Sequence, residues 1–82
     1  MTEPPRLRRY DYYLGRQSLG DTWTLRRGAL TMRCALTTNQ LGWELRLTAG
    51  PNLLRTQVCK SESDVHAVSD AWQAEARVKG WS

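Results

Sequence analysis

Phenylalanine is absent from the 82 residues, histidine occurs once and cysteine twice. Without phenylalanine, the aromatic part of a core must come from Trp23, Trp43, Trp72 and Trp81, or from the tyrosines. An indole buries a large apolar surface but carries an N–H that needs an acceptor, so some of these rings are expected at core margins or in an interface. Cys34 and Cys59 are too few and too widely spaced for a zinc site or a CxxC redox pair, and free buried thiols are expected. A bridge between them requires neighbouring strands with both side chains on one face. No long apolar stretch occurs, which gives the expectation of a cytoplasmic protein with no signal peptide, no membrane anchor and no membrane partner.

Catalytic constellations are equally scarce. His66 stands alone between Val65 and Ala67, and a general base there needs an oriented partner and a nucleophile. Asp70 lies one turn along the same helical pattern and is expected in solvent. Cys59 has Arg55 and Lys60 nearby, which would lower its pKa if it were exposed, but burial in a hairpin is the expected state. Asp21 and Glu44 form no close pair, and Gly28, Gly42 and Gly50 fall at turns without composing a phosphate loop. The expectation is a non-enzyme with no metal and no cofactor.

What is present is a change of period near Ser61. From Thr22 to Lys60 apolar residues mostly recur at every second position; from Glu62 to Lys79 they recur at helical spacing. Four strands are predicted over about 22–27, 29–37, 43–48 and 53–60, joined by short links that favour an antiparallel meander. The fold class is therefore α+β: a four-stranded antiparallel sheet followed by one C-terminal helix packed on one face. Ser61 is the predicted N-cap and Gly80 the residue that ends the helix, with Trp81 folding back as a hydrophobic lock. Residues 1–20 read as a basic, partly flexible arm and 21–82 as a single ββββα domain. At this length one core is barely sufficient, so dense use of large apolar side chains or a partner is needed.

Parity then assigns two faces. Trp23, Leu30, Met32, Trp43, Leu45 and Leu47 are expected against the helix, with Cys34 and Leu36 beside them. In the fourth strand Leu54, Thr56 and Val58 are expected to point the same way. From the helix, Val65, Val68, Trp72 and Ala76 form the facing stripe, with Ala71 and Val78 on its borders. The opposite sheet face receives Thr22, Thr24, Arg26, Thr31, Arg33, Glu44, Arg46, Thr48, Arg55 and Gln57.

Charge is polarised along the chain. Residues 1–60 carry ten bases against four acids, and residues 61–82 two bases against four acids. Arginine supplies ten of the twelve bases, and its planar fork suits carboxylate or phosphate. A solvated sheet face is one adequate account of the outward arginines. A second is a nucleic-acid surface built from Arg26, Arg33, Arg46 and Arg55, with Arg6, Arg8 and Arg9 on the arm and Tyr10 and Tyr12 stacking on bases. In element order, over about residues 22–79 and without a matched motif, the ββββα plan resembles the subunit of single-stranded-DNA-binding coactivators of the Whirly kind. That resemblance implies a fold and a nucleic-acid partner but assigns no positions. A third account is an acidic protein partner or a second copy, meeting the basic face or an open sheet edge. The expectation from sequence is a small binding module for nucleic acid, with protein interaction or homodimerisation as the alternative.

Overall fold

A computed structural model describes residues 17–40 and 42–82. Four strands, β1 (Gln17–Arg27), β2 (Leu30–Asn39), β3 (Gly42–Ala49) and β4 (Asn52–Cys59), precede one helix, α1 (Glu62–Val78). The strands lie in the order β1-β2-β3-β4 with every neighbouring pair antiparallel, the meander that short links dictate. Two-residue turns at Gly28-Ala29 and Gly50-Pro51 close one end of the sheet, with both glycines at positive φ. The helix packs on one face of this layer.

The ends of α1 are specified locally. Ser61 is extended at φ −145 and its Oγ accepts the Asp64 amide at 3.1 Å, which satisfies one of the orphan donors of the first turn. At the other end Gly80 takes φ +95, and its amide donates to the Arg77 carbonyl while the Trp81 amide donates to Ala76. That pair of reversed bonds stops the helix and turns Trp81 back into the core, where it is buried beside Ala76.

The core is a single cluster of Leu25, Met32, Cys34, Leu45, Leu47 and Cys59 from the sheet with Val65, Trp72, Ala76 and Trp81 from the helical segment. Trp23, Trp43 and Val68 pack against it only partly buried, as indoles with polar atoms to place tend to do. Among the described residues Ser69 is the one buried polar residue. Its position follows from steps of four, three and four along Val65, Ser69, Trp72 and Ala76, which centre it on the inward stripe. Its Oγ donates to Thr22 Oγ1 at 2.8 Å, and its carbonyl accepts the Trp23 Nε1 proton at 3.0 Å.

Several positions depart from simple parity. β1 begins at Gln17, five residues before Thr22, and contains register shifts between Ser18 and Gly20 and between Asp21 and Trp23. The second bulge brings Thr22 to the helix side, where it meets Ser69 instead of joining the outer face. In β4 the alternation runs the other way from the expected one. Cys59 pairs with Trp43, Gln57 with Leu45 and Arg55 with Leu47, so all three share the helix side. A bulge opposite Leu47 and Thr48 absorbs Leu54 and reverses the phase. Val58 is thus turned outward and 41 % exposed, and Thr56 also points away from the helix. Leu30 does take the helix side, yet it is 46 % exposed. Val78 is also in solvent and borders no core.

Cys34 and Cys59 are free and buried. They lie on β2 and β4, and β3 runs between those strands. Two inter-strand spacings, roughly 9–10 Å, separate strands so placed, which is beyond the reach of a disulfide.

Candidate interaction surfaces

The outer face follows from the pairing. Thr24, Arg33 and Thr48 form one row across the sheet, and Asp21, Ala35, Arg46 and Thr56 form the next. Beyond these lie Arg26 with Thr31, and Thr37 with Glu44 and Val58. Among the described residues three arginines therefore face outward, Arg26, Arg33 and Arg46, accompanied by two acids, Asp21 and Glu44. Arg33 Nη1 meets Asp21 Oδ2 at 3.4 Å. Arg55 does not belong to this face: its Nη1 pairs with Glu75 Oε1 of the helix at 2.7 Å, and its guanidinium carbon lies 4.9 Å from the Trp72 ring centroid. The surface is less basic than the sequence suggests, because one expected cation is on the other side and an acid not assigned there is present. Arg6, Arg8, Arg9, Tyr10 and Tyr12 lie outside the described residues.

The two sheet edges differ. At β1 the Arg26 amide donates to the Ser82 carbonyl at 2.9 Å and the Ser82 amide returns a bond of the same length to the Arg26 carbonyl. This engages that border at Arg26, and the two bulges twist it. β4 forms the opposite edge, and among the described residues nothing pairs with its outer side. Seven of its eight residues are exposed. Leu53 and Leu54 are 50 % and 51 % exposed, and with Val58 they leave apolar side chains on both faces of one bare strand.

A third feature is a cleft of about 500 Å3 between the sheet end that carries both glycine turns and the last two turns of α1. Its floor includes Leu30, Met32 and Leu54 and its roof Trp72 and Trp81. Arg27, Arg55, Lys79 and Glu75 stand at its margin.

Chemistry-bearing side chains are otherwise dispersed. Among the described residues no group of three or more His, Cys, Asp or Glu could hold a metal ion. His66 is exposed on the helix. Burial pushes both thiols above the ordinary cysteine value; bonds from Thr22 and Ser69 partly offset this at Cys34, and the Asp64 carboxylate adds to it at Cys59. Arg55 and Lys60 do not activate Cys59. No described helix is long and apolar enough to cross a membrane. No protein-family model, curated protein or solved structure matches the chain.

Proposed function

We propose that the protein is a non-enzymatic interaction module that pairs with a second copy of itself along β4. The observation that carries this reading is the combination of an unpaired edge with exposed Leu53, Leu54 and Val58 on that same strand. Addition of a strand would satisfy the outward amides and carbonyls of β4 and remove apolar surface on both sides of the sheet. Two-fold pairing makes the interface self-complementary, so one strand supplies both halves.

Sedimentation equilibrium tests it. The parent chain should show about twice the 9.4 kDa monomer mass. Lysine at Leu53 and Val58 together should return it to the monomer mass with an unchanged circular dichroism spectrum, since both side chains are already in solvent. A parent that stays monomeric at its highest soluble concentration refutes the reading.

Nucleic-acid binding through the outer face is a second reading, supported by the outward Arg26, Arg33 and Arg46. It calls for retention of random oligonucleotides at low salt, lost when those three become glutamine. Absence of retention removes it.

A further inference from the structure

We propose that the cleft between α1 and the turn end of the sheet is a binding site for a small apolar molecule carrying one carboxylate.

The first observation is misplaced apolar surface. On the helix side of the sheet Leu25, Met32, Leu45 and Leu47 are buried, whereas Leu30 and Leu54 remain about half exposed. Both line the same cleft. The helix ends at Val78, and Gly80 sends the chain back toward Arg26, so α1 leaves both leucines only half covered. A volume of about 500 Å3 lies within the range that suits a small ligand. Trp72, Trp81 and Met32 reach the cleft only by their margins, each at most 6 % exposed, so Leu30 and Leu54 supply most of the apolar contact.

The second observation is the charge at the mouth. Arg27, Arg55 and Lys79 stand against one acid, Glu75. Arg55 already engages that carboxylate. Arg27 is held differently: its guanidinium lies 4.9 Å from the Trp81 ring centroid and Nη1 donates to the Lys79 carbonyl at 2.9 Å. Both of those partners are neutral. Among the described residues neither Arg27 nor Lys79 forms an ion pair, so their charges remain for a ligand. The carbonyl end of a helix ordinarily repels an anion, and the Arg27 contact covers that end. A guanidinium anchored on an indole, with one Nη bonded to a carbonyl and further N–H donors to spare, suits a carboxylate.

Charge also selects among occupants. Residues 1–16 carry Arg6, Arg8, Arg9 and Arg16 against Glu3 and Asp11, the same sign as the mouth, so this segment is a poor complement. A fatty carboxylate matches both the apolar walls and the cationic rim.

Decanoate is the test ligand, and decyltrimethylammonium, with the same tail and the opposite charge, is its control. Both are titrated below their micelle concentrations against tryptophan emission and by calorimetry. Decanoate should saturate with one site per chain and bind at least about tenfold more tightly than the cation, a difference of roughly 1.4 kcal/mol. Leu54→Asp, at an exposed position, should weaken decanoate about tenfold or more while its dichroism matches the parent. Lys79→Gln should narrow the gap between the two ligands. Equal binding of anion and cation, undiminished binding to Leu54→Asp, or no saturation each overturns the proposal. Decanoate affinity that falls as protein concentration rises also overturns it, in favour of a second copy as the occupant.

Discussion

The guanidinium of Arg55 lies over the ring of Trp72, beneath the helix and on the opposite side of the sheet from Arg46. Its guanidinium shields the ring from water, and its charge reaches Glu75. Both charged groups are about half exposed, so solvent screening limits the ion pair to about 0.2–1 kcal/mol. A double-mutant cycle of Arg55→Ala and Glu75→Ala should give a coupling of that size at low salt and less at high salt. Arg55→Ala alone should cost more than Glu75→Ala, because Trp72 loses its cover. Equal single costs with zero coupling would contradict this placement.

Gly42 and Gly28 both take positive φ, but their surroundings differ. A Cβ at Gly42, where φ is +136, would stand 2.5 Å from the Cys59 carbonyl oxygen; at Gly28 it would meet nothing within 4 Å. Gly42→Ala should lower stability by about 1–3 kcal/mol through backbone strain and collision with β4. Gly28→Asn should be close to neutral, since asparagine tolerates the left-handed region. Urea midpoints compare the two directly.

Trp81 is 6 % exposed and Val78 is 88 % exposed, only three residues apart. Trp81→Ala should cost about 3–5 kcal/mol by removing a core ring at the helix stop. Val78→Ala should change stability by no more than about 0.5 kcal/mol. Thermal or denaturant melts of the two variants should differ accordingly. Similar losses would mean that Trp81 is no lock.

The thiols tie stability to pH. Burial raises both pKa values above 9.0, so the folded chain holds these protons more tightly than the unfolded chain. Their contribution is complete below the unfolded value and declines as pH rises through 9.0 toward the folded values. The denaturation free energy should therefore fall above that pH, and less steeply in a Cys34→Ala, Cys59→Ala variant. A thiol reagent should label the native protein only as fast as it opens. Prompt labelling of either cysteine at neutral pH would contradict their burial.

Much of this arrangement was legible because local chemistry and the global pattern agree. Ser61 and Gly80 specify the helix ends through their own hydrogen-bonding and backbone preferences. In β3, Trp43, Leu45 and Leu47 alternate with polar residues without interruption, and in β2 Met32, Cys34 and Leu36 keep one phase with only Ala35 as an apolar residue between them. β4 was not legible, because Leu53-Leu54 begins it and Val58-Cys59 ends it. Either phase of alternation then contains apolar side chains, and only the bulge chooses between them. Thr22 escaped for the same reason at the β1 bulge. Ser69 was hidden by its polarity, although the helical spacing places it on the inward stripe. The misassignment of Arg55 follows directly from the phase of β4, and it altered the functional reading more than any other position.

The paired bonds between Arg26 and Ser82 have a consequence for stoichiometry. A layer able to recruit a neighbour at each border lengthens without limit, the route by which compact domains become filaments. Here Ser82 engages one border at Arg26, so a dimer formed along β4 as proposed would present less bare strand at that border than at β4 itself. In that proposed dimer, Ser82→Pro, which removes the amide that donates to Arg26, would bare this border as well and favour further addition of strands.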